Sequence, residues 1–184
     1  MRLAPYITKL SAIAAAVICL PSNTSAVPLT IQWSALRPAQ QSSPDMPLPS
    51  MAQSRSQGET LAWHDEGKTI KLTGFILPID QDGDLVHEFM LVPWAGACSH
   101  SAAPPPNQLV QVAAKEPFRM SKIYEVVTVT GSLRPGLDRA QLLIMDGMRV
   151  LDYGYRMSQA KVEKATARLD PDLRSVSPLG TIGR

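Results

Sequence analysis

The sequence lacks an apolar stretch long enough to cross a membrane as a helix. A membrane-spanning helix needs roughly 20 predominantly apolar residues. The longest apolar stretch, Leu10 to Leu20, has about half that length. No membrane span is therefore expected in the mature chain, and this short stretch needs another explanation.

The composition around the stretch is typical of a secretory signal. Basic Arg2 and Lys9 come before it, the small residues Thr24-Ser25-Ala26 follow it, and no acidic residue precedes Asp45. A basic start, a short apolar region and a small-residue cleavage site are the three parts of a signal peptide. We expect residues 1–26 to be removed by cleavage near Ala26, which predicts a periplasmic or secreted protein.

The mature chain also lacks an excess of charge of either sign. The whole sequence has 18 basic and 16 acidic residues, and the predicted signal carries two of the basic ones, Arg2 and Lys9, and no acid. Sixteen residues of each sign remain, so the formal charge is zero. Electrostatic attraction to nucleic acid or to an anionic membrane is therefore not expected.

Cysteine is almost absent. The sequence has two cysteines, and Cys19 lies in the predicted signal, so the mature chain keeps Cys98 alone. An intramolecular disulfide is thereby excluded. An unpaired thiol in an oxidising compartment needs an explanation: it is buried and inert, it binds a metal, or it pairs with another chain.

Short stretches of β-branched and apolar residues, separated by turn residues, predict a mainly β domain. The expected strands are 69–79, 85–93, 109–113, 123–133 and 142–155, the last interrupted by a turn at 146–147. Five strands at this spacing suit a small OB-like barrel, because closure removes exposed sheet edges. A β-sandwich is the alternative.

The rest of the mature chain divides by composition. Residues 27–58 are expected to be an anchoring segment, with apolar Ile31, Trp33 and Leu36, followed by a flexible linker rich in Pro, Ser and Gln. The barrel domain is predicted over 59–157. In 158–184, the Ala, Lys and Glu content of the first part predicts a short helix, and the remainder a disordered tail.

One segment, from Ala97 to Gln108, stands out as a candidate binding loop. Cys98 and His100 lie two positions apart and are followed by Pro104, Pro105, Pro106, Asn107 and Gln108. Consecutive prolines favour a stiff, extended chain. A thiolate and an imidazole at this spacing can face one zinc or copper ion, so zinc or copper is the candidate cofactor.

Two ligands leave such a site incomplete, and His87 is a candidate third. In a regular strand His87 shares a face with Leu85 and Phe89, so we expect it to be partly buried. The alternative is a hydrogen-bonded core histidine without a metal role. Likewise, Cys98 is alternatively a small buried hydrophobe, and Asn107 and Gln108 alternatively satisfy loop backbone groups.

Several motifs resemble the bacterial family catalogued as domain of unknown function 3299. They are Ile31–Pro38, Gly74–Pro78, Glu88–Trp94, Ala97–His100, Pro104–Gln108 and Val129–Leu133. The resemblance implies an exported protein, with some members associated with ABC-type export systems and metal homeostasis. The resemblance also implies that the signature residues of the family are, in this sequence, Cys98, His100, Pro105, Pro106, Asn107 and Gln108. This sequence departs from the family pattern before its prolines, because it has Ser101-Ala102-Ala103 where the family would have an earlier proline.

Three functional hypotheses follow. The first is an exported accessory or binding module, linked to a transition metal, whose partner is a membrane transporter or another envelope protein. The second is a thiol-dependent enzyme or redox protein using Cys98. The third is a purely structural interaction module. No serine-nucleophile elbow, phosphate loop or dinucleotide fingerprint occurs in the sequence, which weighs against an enzyme, and no catalytic residue is assigned.

Overall fold

The fold is built almost entirely of strands. The computed structural model describes residues 27–39, 59–65, 67–96, 103–144 and 147–165. The strands are β1 (Leu29–Thr30), β2 (Thr69–Asp82), β3 (Leu85–Val92), β4 (Val110–Arg119), β5 (Val126–Ile144) and β6 (Gly147–Lys164), and short 3-10 helices span Trp33–Leu36 and Pro106–Gln108. The prediction of a mainly β protein is confirmed.

The strands form one mixed sheet whose pairing closes on itself. The order is β1-β2-β3-β4-β6-β5, and β5 pairs in addition with β2. The pairs β1–β2 and β4–β6 are parallel and the others antiparallel. Five strands thus form a ring of hydrogen-bonded neighbours, with β1 added to β2. All described strands belong to this one sheet, unlike the two sheets of the alternative β-sandwich.

A first core cluster lies on the face that the ring encloses. All five ring strands contribute buried side chains to it, for example Ile70, Phe89, Val110, Val129 and Tyr155. Side chains along a strand alternate between the two faces of a sheet. In β2, Ile70, Leu72 and Ile76 therefore lie in this cluster, and Phe75 and Leu77 lie on the opposite face. Burial of these apolar side chains is the main force that holds the ring closed.

A second core cluster lies on the opposite face, against a folded-over extension of two strands. The distal parts of β5 and β6, residues 138–144 and 147–153, pair only with each other, and we call them the arm. Their inward side chains pack on the outer face of β2 and β3. The buried members of the cluster are Phe75, Leu77, Met90, Val92, Leu109, Ala140, Leu142, Leu151 and Tyr153.

Polar contacts fix the arm where it leaves the ring. The register of β5 with β6 shifts between Pro135 and Asp138. Asp138 there accepts hydrogen bonds from Arg156 (2.7 Å) and from the Tyr153 hydroxyl (3.3 Å). The backbone N–H of Arg139, together with Tyr153 and Arg156, holds the pKa of the Asp138 carboxyl below its usual value. Because Asp138 and Arg156 are largely exposed, this ion pair contributes little to stability.

The predicted C-terminal helix is wrong for the residues that the structure describes. Positions 158–164 belong to β6, which pairs with β5 through Lys164 and with β4 at Ala160. Ala160 is buried in the first cluster. Sheet pairing on both edges and burial of one face outweigh the small helix preference of Ala, Lys and Glu. Residues 166–184, including the predicted tail, lie outside the described residues.

The third and fourth predicted strands are longer than expected, and the predicted fifth strand, 142–155, is divided, because its first part belongs to β5 and its second part to β6. β4 continues to Arg119, and β5 and β6 run for 19 and 18 residues. β5 passes through Pro135, which lies opposite Tyr155 and is the last paired residue before the register shift, and proline is tolerated at such irregularities. Alternation in the sequence does not reveal such a bulge, so the predicted strand ended near Leu133.

The segment 27–39 docks on the ring through Trp33 and Leu36, which are fully buried in the first cluster. We expect Leu36→Ala to lower the free energy of unfolding by about 2–5 kcal/mol, because it leaves a cavity in the core. The matched control is Leu29→Ala, since Leu29 is 49% exposed in the same segment. Urea unfolding followed by tryptophan fluorescence measures both, and equal midpoints for the two variants would show that the segment does not contribute to the core.

Candidate functional site

The candidate loop is the connection between β3 and β4, residues 93–109. Its first limb leaves β3 at Trp94 and Ala95, which are half-buried and pack against the second core cluster. Its last limb returns through Ala103 to β4. Residues 97–102 lie outside the described residues. The chain is therefore described on both sides of the predicted metal-binding pair, Cys98 and His100, which itself falls in that gap.

The returning limb is shaped by its three prolines. Pro104 is buried. Pro105 is extended, with φ −64° and ψ 157°, and Pro106 opens the 3-10 helix that ends at Gln108. The backbone N–H of Gln108 donates to the Pro105 carbonyl at 2.8 Å. Proline fixes φ near this value, so the limb loses little entropy on folding.

The side chains of Asn107 and Gln108 are buried and bind backbone carbonyls from other segments. Their exposed fractions are 3% and 4%. Asn107 Nδ2 donates to the Thr60 carbonyl at 3.1 Å. Gln108 Nε2 donates to the Trp33 carbonyl at 3.1 Å and to the Asn107 carbonyl at 2.8 Å. The two amides thus tie the loop to both chain segments that precede β2.

The Tyr155 hydroxyl binds the same two segments from β6. It accepts hydrogen bonds from the backbone N–H groups of Ala62 (2.9 Å) and Trp63 (3.1 Å), and it donates to the Leu36 carbonyl at 3.1 Å. Burial raises the pKa of the Tyr155 phenol, so the hydroxyl keeps the proton that it donates. Asn107, Gln108 and Tyr155 together form a buried polar group that we call the anchor.

Gly154 lets the anchor close. A Cβ at this position would lie 2.5 Å from Leu61 Cδ2 and 2.8 Å from the Pro106 carbonyl oxygen. Only a residue without a side chain therefore allows the loop and the 59–65 segment to lie against β6. Sequence reasoning missed both Gly154 and Tyr155. The available signal was a glycine inside an apolar strand, which marks a close backbone approach.

The motifs of the sequence meet at the Trp33 indole. Its Nε1–H donates to the Thr73 carbonyl at 2.7 Å, and Gln108 binds its carbonyl. A Cβ on Gly74 would lie 2.9 Å from Trp33 Cζ2 and 2.8 Å from Leu91 Cγ. Four motifs that lie far apart in the sequence thus supply neighbouring groups at one junction.

The comparison with protein families decides the membership of this chain. A family model described as "Protein of unknown function (DUF3299)" matches residues 28–164. The chain belongs to the DUF3299 family. The sequence-based prediction of this family is confirmed.

A solved structure agrees with the family assignment. The crystal structure of a DUF3299 family protein from Pseudomonas aeruginosa PAO1 matches with a TM-score of 0.55 and 30% sequence identity. The match covers 76% of this chain and 97% of that one. No curated protein matches this DUF3299 member.

The prediction that His87 is partly buried is wrong, because the side chain is exposed. The register of β3 with β4 shifts between Val86 and Glu88, so His87 occupies a bulge rather than a regular inward position. It also lies five residues before the end of β3 at Val92, about 17 Å along the strand from the loop. His64 is exposed as well.

The described ranges of this DUF3299 member contain no group of three or more His, Cys, Asp or Glu residues arranged to hold a metal ion. A metal site made only of described residues is therefore not observed. Nor does any helix among the described residues have the length and apolar character needed to cross a membrane.

We expect Gln108→Ala to destabilise the protein by about 1–3 kcal/mol, because it leaves the buried Trp33 carbonyl without its partner. Gln111→Ala is the control, since Gln111 is half-exposed and binds the side chain of Glu88. Urea unfolding compares the two, and amide hydrogen exchange should show faster exchange near Trp33 only in Gln108→Ala. Unchanged exchange there would contradict the anchoring role.

Proposed function

We propose that this protein is an exported accessory binding module of the cell envelope that binds through its β3–β4 loop. The observation that carries the proposal is the anchoring of both limbs of this loop. Trp94 and Ala95 pack on the second core cluster, and Asn107 and Gln108 are hydrogen-bonded to buried backbone. Anchoring of its two described limbs lowers the entropy that the loop loses on binding.

The enclosed face of the ring gives no competing site. The first cluster fills it with side chains that are almost all completely buried, among them Ile70, Leu72, Phe89 and Tyr155. A close-packed interior holds no ligand-sized space. Among the described residues, binding therefore falls to the surface, and we propose the β3–β4 loop because both of its described limbs are anchored.

We further propose that the ring is an OB-like barrel. The support is the cyclic pairing order β2-β3-β4-β6-β5, with one parallel pair, β4–β6, and a core cluster to which all five strands contribute. In such small closed sheets the loops between strands carry the binding function while the strands provide a rigid base.

The proposed ligand of the loop is a transition metal held by Cys98 and His100. A thiolate and an imidazole suit zinc or copper, but two ligands complete neither. No described cluster supplies the rest, and His87 lies exposed at the far end of β3. We propose that a partner supplies the remaining ligands, as in a module that shares or transfers a metal with a membrane transporter or another envelope protein.

Metal content tests this proposal. We expect the reduced mature protein to retain zinc or copper(I) after gel filtration, measured by inductively coupled plasma mass spectrometry, and Cys98→Ser and His100→Ala to lose it. His87→Ala is the matched control and should retain the metal, because its side chain is exposed and lies about 17 Å along β3 from the loop. Loss of metal in His87→Ala as well would restore the three-ligand hypothesis.

A wild type with no more metal than Cys98→Ser would contradict the metal proposal. The pH dependence of Cys98 alkylation then separates the other two hypotheses. A rate that tracks an ordinary thiol pKa of about 8.5 favours a structural module, and fast alkylation well below that pH favours thiol chemistry.

Export has its own test. Expression of the full chain with a C-terminal tag should give a periplasmic or secreted product that begins at Val27, because the signal is cleaved after Ala26. Intact mass and N-terminal sequencing measure this. Arg2→Glu with Lys9→Glu, which removes the basic start, should leave uncleaved precursor, and a cytoplasmic product that retains Met1 in the wild type would contradict export.

A further inference from the structure

The outward face of the arm carries apolar side chains that the monomer does not bury. Leu143, Met148 and Val150 are 76%, 64% and 57% exposed. Leu143 lies directly opposite Met148 across the strand pair, and Gln141 lies opposite Val150. These four neighbours form a continuous surface, which we call the arm patch.

The arm patch has no role in the core, because the opposite face of the arm already fills that role. Ala140, Leu142 and Leu151 point inward and are buried in the second cluster. Large apolar side chains clustered on a surface mark interaction sites in soluble proteins. An unbroken strand alternates apolar and polar residues when one face is solvated, and the arm departs from this rule at Leu143, Met148 and Val150.

We propose that the arm patch binds a second copy of this chain, face to face, about a two-fold axis parallel to the arm. This rotation exchanges the two strands across the interface. Leu143 of one copy then faces Met148 of the other, and Gln141 faces Val150. Such an interface is self-complementary, as a two-fold dimer requires.

The charges that border the patch support the same arrangement. Arg139 lies opposite Asp152 within one arm, and Arg139 Nε donates to Asp152 Oδ1 at 2.7 Å. The same two-fold rotation places Arg139 of one copy over Asp152 of the other, and the reverse. Opposite charges therefore meet at the end of the patch where the arm joins the ring, and the apolar residues meet at its tip.

The charge pattern favours a second copy over a lipid surface. The basic residue on the patch face, Arg139, is paired with Asp152, so it offers no excess positive charge to anionic headgroups. Arg149 lies opposite Leu142 and therefore on the other face of the arm. The mature chain has a formal charge of zero, so two copies approach without net repulsion.

The size of the patch sets the expected strength. Stable dimers bury about 800 Å² on each partner, whereas a two-stranded face with three apolar side chains offers a few hundred Å². We therefore expect a weak, concentration-dependent dimer with a dissociation constant of about 10 µM to 1 mM.

Sedimentation equilibrium from about 1 µM to about 1 mM measures this association. The experiment uses the mature chain with Cys98→Ser, in chelator, so that neither a disulfide nor a metal links two copies. The result is thereby independent of the proposed metal function. We expect Leu143→Glu to weaken the dimer at least tenfold. Leu29→Glu is the matched control and should leave it unchanged, because Leu29 is a half-exposed residue on β1.

A charge exchange tests the axis. Arg139→Asp places two acidic residues together within and between arms, and should weaken the dimer. Adding Asp152→Arg to it should restore the association. A monomer at every concentration, or a dimer that Leu143→Glu does not weaken, overturns the proposal. So does binding to phosphatidylcholine vesicles that Leu143→Glu abolishes in a protein that stays monomeric, which would assign the patch to lipid.

Discussion

The buried indole of Trp33 is the contact on which the arrangement of the loop and the preceding segments depends. It is completely buried among side chains of the ring, and its Nε1–H is bound by the Thr73 carbonyl. Its own carbonyl accepts from Gln108, and its ring lies where Gly74 has no side chain. A polar group at this depth costs free energy unless it is hydrogen-bonded. The junction therefore depends on the Gln108 side chain and on the absence of a side chain at Gly74.

This junction explains in physical terms most of the motifs of this sequence that resemble the family. The tryptophan, the glycine of β2, the leucine of β3 and the Asn-Gln pair after the prolines are far apart in sequence and adjacent in the fold. These residues pack against one another or bind backbone carbonyls. The contacts therefore support the alternative in which Asn107 and Gln108 satisfy backbone groups. The functional proposal concerns the other two residues of this motif, Cys98 and His100, which lie outside the described residues.

The parts of the fold that sequence reasoning found are those governed by local patterns. β2 and β3 and the turn between them follow from alternating apolar residues and an Asp-Gly turn, and they lie close to the expected positions. The parts that it missed depend on partners distant in sequence. Residues 158–164 have a helical composition, but two neighbouring strands hold them extended. His87 occupies a bulge that is defined only against β4, so unbroken alternation placed it on the wrong face.

The candidate site was predictable to the same extent. Its residues are contiguous, so the sequence located the loop and the stiffness of its proline limb. What holds that limb was not visible, because Tyr155 and Gly154 come from β6, nearly 50 residues later. The Tyr155 hydroxyl binds two N–H groups and one carbonyl from separate segments, and such contacts produce no periodic pattern in the sequence. The same holds for the second core cluster, whose members come from β2, β3 and the arm.

That second cluster connects the loop to the arm. Trp94 and Ala95, at the base of the loop, pack against the cluster to which the arm contributes Leu142 and Tyr153. The arm is a single layer of two paired strands. Its inward face packs on the second cluster, which also contacts the base of the loop, and its outward face carries the arm patch. A contact that buries the outward face therefore restricts the same strands whose inward face positions Trp94. The proposed binding loop and the proposed dimer surface share one structural element, and a substitution such as Leu143→Glu, which changes only the outward face, acts on the second without removing the support of the first.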